Sequence, residues 1–277
     1  MQPSAQIERA QALLRLHDQH DILLLPNAWD AGSAALCARN GFPAIATTSG
    51  GMAWSLGYGD GEQAPQAEVL AAVTRIVRVV DVPVTVDLET GYGQTPGDVA
   101  TTIRGLLATG AVGVNLEDGM PGHGPLRPID AAAARIRAAR EAAQAASVPL
   151  VINARIDAWM QPMADPRDRL AGAIVRARAY LAAGADCIYP LGLSDPDTLR
   201  AFIQAVDAPV NVAAGAGMPS LTELAELGVA RVTMATRLAT LALGAVQNAL
   251  HQVRASGGFD ALASPFSYAD AQALFER

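Results

Sequence analysis

Two carboxylates stand at the end of a short β-branched run in the segment VTVDLETGYG, residues 84–93. β-branched residues favour a strand, and in an extended chain Asp87 and Glu89, two positions apart, point to the same face. Carboxylates this close repel each other unless a proton or a cation lies between them. A divalent cation such as Mg²⁺ is usually held this way, with water and substrate oxygens completing its shell. The alternative is an N-capping acid beside a solvated one.

Further reactive side chains follow other apolar runs of the chain. The run VGVNL ends in Glu117 and Asp118, and the apolar run over residues 149–154 leads into Arg155 and Asp157. Acids from two strands and an arginine from a third would form a pocket for a metal and an anion, in which Arg155 pairs with a substrate carboxylate. The alternative is a structural ion pair of Arg155 with Asp157 or Glu117, because a buried arginine needs a partner in either case.

The elements that must position these residues alternate along the chain. An amphipathic helix is predicted over residues 4–17. Strands are predicted at 22–25, 43–47, 83–89, 112–116, 149–154, 186–189, 209–212 and 229–234. Helices are predicted at 31–39, 66–80, 97–109, 130–146, 166–182, 195–205, from about 220, 235–252 and 267–276. Residues 48–62 are too rich in glycine for a regular element, and we expect a long loop there.

The alternation of strand and helix indicates the α/β class with a parallel sheet. Eight strand–helix units in 277 residues favour one (β/α)8 barrel domain spanning residues 1–277. An open doubly wound sheet is the alternative. Such a sheet would be expected to carry a nucleotide-binding fingerprint after its first strand, and the segment LLLPNAWDAGS has none. In such barrels the active site lies at the C-terminal ends of the strands, where the acids and the arginine are expected.

Charge and composition indicate which kinds of binding partner the protein has. The net charge of −7 argues against nucleic acid or an anionic membrane as the main partner. The two cysteines do not suggest a disulfide framework, which fits a reducing compartment. The polar N-terminus has no hydrophobic signal core, and no apolar run reaches the roughly 18 residues of a membrane span. We therefore expect a cytoplasmic protein that acts on a small molecule.

Four segments carry a resemblance to a known family: ATTSGGMAWSLGYGDGE, VDLETGYG, VNLED and INARIDAW. In this order and at these separations, over roughly residues 25–234, they resemble the isocitrate lyase / phosphoenolpyruvate mutase superfamily. The resemblance implies a (β/α)8 barrel with an N-terminal helix and extra C-terminal helices. It also implies a homo-oligomer, a dimer or tetramer in which the last barrel helix is exchanged between subunits. Members make or break C–C or P–C bonds next to the carboxylate of a 2-oxo acid, using Mg²⁺, with Mn²⁺ as a substitute.

The resemblance also implies roles for individual residues. Asp87 would be the direct Mg²⁺ ligand, while Glu89 and Glu117 would hold water molecules of the metal. Asp60 would do the same or act on the substrate. The substrate carboxylate would be bound by Thr48, by the backbone amides of Ser49 and Gly50, and by Arg155.

The segment GMPGHGPLRP, residues 119–128, departs from the family pattern. In the lyases this mobile gate carries a Lys-Lys-Cys-Gly-His type motif whose cysteine is the general acid, and in the phosphonate mutases it carries a lysine with a Thr-Asn-Ser run. Neither motif is present, and only Gly122-His123 echoes the lyase motif. His123 is the candidate proton donor because its ordinary pKa lies near neutrality. An exposed loop histidine is the alternative, and Tyr58 and Tyr92 are rival donors.

These observations predict a Mg²⁺-dependent lyase that cleaves a C–C bond in a 2-oxo or 2-hydroxy carboxylate. The reaction would be of the oxaloacetate decarboxylase or isocitrate/methylisocitrate lyase type and would pass through an enolate stabilised by the metal. One alternative is a 2-oxo acid binding protein with little catalysis. Another is a P–C bond mutase or hydrolase acting on phosphonopyruvate, which the altered gate disfavours.

Overall fold

The computed structural model describes residues 3–17, 21–122, 124–162 and 165–276 of the chain. Its strands are β1 Leu23–Leu25, β2 Asn27–Ala28, β3 Ile45–Thr47, β4 Val84–Asp87, β5 Gly113–Glu117, β6 Val151–Ile156, β7 Cys187–Pro190, β8 Asn211–Ala213 and β9 Arg231–Thr233. Its α-helices are α1 Pro3–Leu16, α2 Ala31–Arg39, α3 Ser49–Leu56, α4 Gln66–Arg78, α5 Pro96–Thr109, α6 Ile129–Ala145, α7 Pro166–Ala182, α8 Pro196–Val206, α9 Leu221–Glu226, α10 Arg237–Ser256 and α11 Tyr268–Ala273. Short 3₁₀ helices span Ala158–Met160 and Asp260–Leu262.

All strand pairs are parallel, and their order follows the chain. One sheet has the order β2-β3-β4-β5-β6-β7, and the other has the order β1-β9-β8. The two sheets meet at Pro26, which separates β1 from β2 and has no N–H to donate, and at a single bridge between Ile188 and Val210. Pairing among the described residues therefore runs around all eight strand positions, with narrow joins at two places. The predicted α/β class and eight-unit barrel arrangement are confirmed.

The helices pack their apolar faces on the strands and begin at clear caps. Val73 and Ile76 of α4 are fully buried, as are Val86 of β4 and Val114 of β5. Asp30 is the N-cap of α2, because its Oδ1 accepts a 2.7 Å hydrogen bond from the backbone N–H of Ser33. This packing fixes the direction of each strand and brings the C-terminal ends of the parallel strands to one end of the barrel.

The expectation of a loop over residues 48–62 is wrong in its first half, where the chain forms the helix Ser49–Leu56. A Cβ on Gly51 would lie only 2.8 Å from Thr48 Cγ2 and 2.8 Å from Trp29 Cβ. The glycine is therefore there for close packing of this helix rather than for flexibility, and glycine content alone misled the prediction.

Replacing Gly51 by alanine should lower the free energy of unfolding by about 1–3 kcal/mol, the usual range for overpacking a core. Gly172 of α7 is the matched control, since a Cβ there meets nothing within 4 Å, and Gly172→Ala should be neutral or stabilise by up to about 1 kcal/mol. Denaturant unfolding of both variants checks this. Equal stability of the two variants would contradict the packing role of Gly51.

The predicted strand 83–89 extends two residues too far at its C-terminal end, and this changes the argument for its acids. The strand ends at Asp87, and Gly91 N–H donates to Leu88 O at 2.8 Å to close a turn. Glu89 and Tyr92 have left-handed backbone angles, with φ of 52° and 54°. Alternation along an extended chain therefore does not explain how Asp87 and Glu89 come together; the turn brings them together.

Cys37 and Cys187 are both free and buried. Within the described ranges, no helix has both the length and the apolar character needed to cross a membrane.

Candidate functional site

A cavity of about 440 Å³ lies at the C-terminal ends of the strands, a volume typical of small-ligand sites. Five of the residues predicted from the sequence line it, and they come from separate parts of the chain: Thr48, Ser49, Asp60, Asp87 and Arg155. The barrel thus brings together residues that are more than 100 positions apart. The cavity is the candidate active site.

Asp87 ends β4 and projects into the cavity. Its backbone N–H donates to Thr47 Oγ1 at 3.0 Å, which fixes the end of the strand. Its Oδ2 accepts a 3.3 Å hydrogen bond from the backbone N–H of Ser49. Its Oδ1 is buried and has no hydrogen-bond partner among the described residues. A buried carboxylate oxygen without a partner is destabilising, so this atom is suited to receive a ligand.

Asp60, Glu89 and Glu117 are acids that interact electrostatically with Asp87. Burial raises the pKa of Asp87, and Asp60 raises it further, while Arg155 opposes both. Burial, with Asp87 and Asp60 as neighbours, raises the pKa of Glu89 to about 8. Burial also raises the pKa of Glu117, to which Asp87 and Glu89 contribute. The four acids therefore form one cluster in which negative charge is disfavoured until a cation or protons offset it.

The donor set fits one Mg²⁺ held mainly through water. In the part of the chain that the structure describes, no three acid, histidine or cysteine side chains converge closely enough to ligate one ion. Glu89 Oε2 already accepts a 2.7 Å bond from the backbone N–H of Glu62, and Glu117 Oε2 lies 2.7 Å from Arg155 Nη1. Asp87 Oδ1, which is buried and has no hydrogen-bond partner among the described residues, is an atom that could ligate the ion directly. Mg²⁺ is typically bound by one or two carboxylates with waters and substrate oxygens.

Arg155 is paired on one side and open on the other. Its Nε lies 2.6 Å from Asp157 Oδ1, its Nη2 lies 3.1 Å from Asp157 Oδ2, and its Nη1 pairs with Glu117. The structural ion pairs considered from the sequence are therefore present. Because a guanidinium carries five N–H donors, two remain for an anion in the cavity. Burial lowers the pKa of Arg155, but Glu117 and Asp157 outweigh it and raise the pKa, so the group stays charged.

The three residues predicted to bind the substrate carboxylate have different positions. Thr48 is the N-cap of α3 and makes no capping hydrogen bond with its side chain, which leaves the hydroxyl available in the cavity. Ser49 also lines the cavity, but its amide is bonded to Asp87. Gly50 lies behind them, where a Cβ would be 3.2 Å from Asp60 Oδ2. Of the two predicted amides, that of Ser49 is thus already engaged by the proposed metal ligand.

The candidate proton donors differ in how close they lie to the acid cluster. The hydroxyl of Tyr92 lies 3.5 Å from Glu89 Oε1, beside the acid cluster, and burial with Glu89 nearby raises its pKa. The hydroxyl of Tyr58 instead donates to Glu68 at 3.0 Å. His123 lies outside the described residues, so its role stays a prediction. Tyr92 is therefore better placed than Tyr58.

Two cavity residues, Asn27 and Arg237, received no role from the sequence. Asn27 Nδ2 donates to Thr47 O at 2.8 Å, and its Oδ1 accepts from the backbone N–H of Met234 at 2.7 Å, so it links β2 to the end of β3 and to the residue after β9. Arg237 opens α10 and lines the cavity at its exposed side. The signal that could have found Arg237 is its place directly after the last strand, since barrel sites are built from such junctions.

Comparison with known proteins agrees with this geometry. Residues 13–254 match the family model described as phosphoenolpyruvate phosphomutase. The chain belongs to this family. The family membership predicted from the four segments is therefore confirmed, and the chain is an enzyme among lyases and mutases that share one α/β fold.

Individual members of the phosphoenolpyruvate mutase family cover most of the chain. An uncharacterised protein of Mycobacterium tuberculosis is 33% identical over 261 residues, 93% of both chains. The 2-methylisocitrate lyase of Escherichia coli K12 is 33% identical over 214 residues, 74% of this chain and 70% of the lyase. A solved structure from Burkholderia cenocepacia J2315, classed as a lyase/mutase, has a TM-score of 0.91 and 39% identity, covering 99% of this chain and 98% of the other.

The acid cluster predicts a pH-dependent stability that Mg²⁺ should remove. Since folding raises the pKa of Glu89 from an ordinary 4.5 to about 8, its stabilising contribution is complete below about pH 4.5 and is lost as the pH rises to about 8. In EDTA the melting temperature should therefore fall across this window, and added Mg²⁺ should raise it more at pH 8 than at pH 5. Glu89→Gln, which cannot ionise there, is the control and should weaken the fall. A flat or rising profile for the metal-free protein would contradict the cluster.

Proposed function

We propose that this protein is a Mg²⁺-dependent lyase that cleaves a C–C bond in a 2-oxo or 2-hydroxy carboxylate. The observation that carries the proposal is the buried, unpartnered Oδ1 of Asp87 in a cavity that Arg155 also lines. A ligand atom for a cation and a guanidinium with open donors then face one space. A substrate with adjacent carboxylate and carbonyl oxygens satisfies both.

In this proposal, the acids of the cavity bind the ion, while Arg155 and Thr48 bind the substrate. Asp87 would ligate Mg²⁺ directly, and Glu89, Glu117 and Asp60 would hold its waters. When bound, Mg²⁺ would supply Lewis-acid stabilisation for negative charge that develops on the 2-oxo oxygen. Arg155 would pair its two remaining donors with the substrate carboxylate, helped by the hydroxyl of Thr48.

The protein must also return a proton to the carbon that the bond cleavage leaves electron-rich. Tyr92 lies beside the acid cluster, and His123 lies on the gate that follows β5. Gly122, in the described part of the gate, lies close to Gly61, because a Cβ on Gly61 would be 2.8 Å from Gly122 Cα. Gly61 follows Asp60, which lines the cavity, so this part of the gate is adjacent to the site.

A second candidate function is cleavage or transfer of a P–C bond, as in phosphonopyruvate, because the matching family model is that of a phosphomutase. The gate disfavours it, since residues 119–128 lack the lysine and the Thr-Asn-Ser run of that chemistry.

The protein is also proposed to act as a homo-oligomer. Large apolar side chains are exposed on α10 and in the segment that follows it: Leu241, Leu243, Val246, Leu250, Phe259, Leu262, Phe266, Tyr268 and Phe275. Exposed apolar side chains in this number on one helix and the segment after it are typical of a protein–protein contact. A second copy of the chain, with exchange of the last barrel helix, would cover it.

The proposal is tested by turnover of a substrate panel followed by NMR, in Mg²⁺ and in EDTA. The panel comprises oxaloacetate, isocitrate, 2-methylisocitrate and phosphonopyruvate. We expect a C–C cleavage product in Mg²⁺ alone, at a rate above that of Mg²⁺ without protein. Release of phosphate from phosphonopyruvate would favour cleavage of a P–C bond. Tight Mg²⁺-dependent binding without any product would favour a 2-oxo acid binding protein with little catalysis.

A further inference from the structure

We infer that Arg237 is a specificity-determining residue that binds a second carboxylate of the substrate, at the end of the molecule away from the metal. This inference rests on the proposed function. Among the described residues that line the cavity, two are cationic, Arg155 and Arg237. They differ in position, because the Arg155 side chain is only 9% exposed while Arg237 is exposed. Arg155 therefore lies deep in the cavity and Arg237 lies at its rim.

The charges around the two arginines differ as well. Arg155 is paired with Glu117 and Asp157. Arg237 takes part in none of the ion pairs found within the described ranges, and its Nε donates to a backbone carbonyl, Ala214 O. The guanidinium at the rim thus keeps donors for a carboxylate.

The backbone around Arg237 is built to hold the side chain in place. Ala235 has a left-handed φ of 48°, an uncommon conformation for a residue with a Cβ. The hydrogen bond from Met234 N–H to Asn27 Oδ1 holds the chain just before this turn. The turn starts α10 so that Arg237 crosses from the end of β9 to the end of β8.

Gly215 supplies the space that the guanidinium occupies. A Cβ on Gly215 would lie 2.6 Å from Arg237 Cζ and 2.8 Å from its Nε. The three nearest atoms to that Cβ all belong to the Arg237 guanidinium, which can swing away. Alanine at this position would therefore displace Arg237 without disturbing the backbone, and it offers a second, independent way to remove the contact.

The test uses two ligands of equal chain length that differ only at the far end. Malate has a carboxylate where 2-hydroxybutyrate has a methyl group, and oxalate has only the groups that the floor of the cavity would bind. Their dissociation constants are measured by calorimetry in Mg²⁺ with the full-length protein. The wild-type protein should bind malate about 10-fold or more tightly than 2-hydroxybutyrate, the size expected for hydrogen bonds between charged groups.

The variants Arg237→Met and Gly215→Ala should both lose this preference while keeping the affinity for oxalate and 2-hydroxybutyrate. Arg200→Met is the matched control, because it removes the same charge from an exposed pair with Asp197 and should leave the preference intact. A malate preference that survives in Arg237→Met, or no preference in the wild-type protein, would overturn the inference. Failure of the wild-type protein to bind oxalate in Mg²⁺ would instead overturn the proposed function on which it rests.

Discussion

The substitution Asp87→Asn is expected to abolish Mg²⁺-dependent ligand binding and to lower turnover by at least about 100-fold. Loss of a group that merely supports a metal ligand already costs 10- to 100-fold, and Asp87 is the proposed direct ligand. Asparagine can still accept the bond from Ser49, so the local backbone should persist. The metal-free variant should be at least as stable as the wild-type protein, because the substitution removes a buried acid whose pKa burial raises.

The combination of lost activity and retained stability separates a metal ligand from a structural acid. Asp197→Asn is the matched control, since Asp197 is exposed and pairs only with its neighbour Arg200 among the ion pairs described. Turnover, calorimetry and thermal melts of both variants in EDTA supply the comparison. An Asp87→Asn protein that still binds ligand in a Mg²⁺-dependent way would remove the proposed metal site.

The substitution Arg155→Met is expected to destabilise the fold by about 3–5 kcal/mol at neutral pH. Removing one member of a buried ion pair leaves the other charges unpaired, and here Glu117 and Asp157 both lose their partner. Arg200→Met, in an exposed pair, should change stability by less than about 1 kcal/mol. Denaturant unfolding at pH 7 measures both. A loss below about 1 kcal/mol for Arg155→Met would contradict the proposed contribution of these buried ion pairs to stability.

The companion variant Arg155→Lys distinguishes the binding role of Arg155 from its structural role. Lysine keeps the charge but cannot reproduce the planar fork that would contact Glu117, Asp157 and a substrate carboxylate at once. The fold should lose less stability than in Arg155→Met, while the affinity for oxalate in Mg²⁺ should fall about 10-fold or more. Unchanged oxalate affinity would make Arg155 a structural residue alone.

The order of the helices and strands was predictable because local sequence signals mark where each one begins and ends. Apolar runs of strand length, the capping Asp30 and the glycines after helices each mark a boundary, and the barrel follows from their alternation. The short strand β2 that follows Pro26 and the helix over Ser49–Leu56 were not predicted. In both cases tertiary packing decides, and no local pattern reports it.

Most residues of the candidate site were predicted, but the contacts between their side chains were not. Asp87 and Arg155 stand at strand ends, where the fold places a site, so their convergence could be expected. Asp118 also stands at a strand end, but its carboxylate accepts from Tyr180 Oη at 2.7 Å and pairs with Arg176, so it supports the fold instead. Side-chain direction after a strand end depends on turn geometry, which the sequence does not specify. For the same reason Arg237 and its space at Gly215 became visible only in the structure.

The measurement that tests the central claim most directly is calorimetric titration of oxaloacetate, pyruvate and 2-oxoglutarate into the wild-type protein, with Mg²⁺ and with EDTA. NMR of the same samples would report any product. The account predicts binding of a 2-oxo acid in Mg²⁺ alone, abolished by Asp87→Asn, followed by a C–C cleavage product for the bound acid that can react. Equal binding in Mg²⁺ and EDTA, or no binding of any 2-oxo acid, would contradict it.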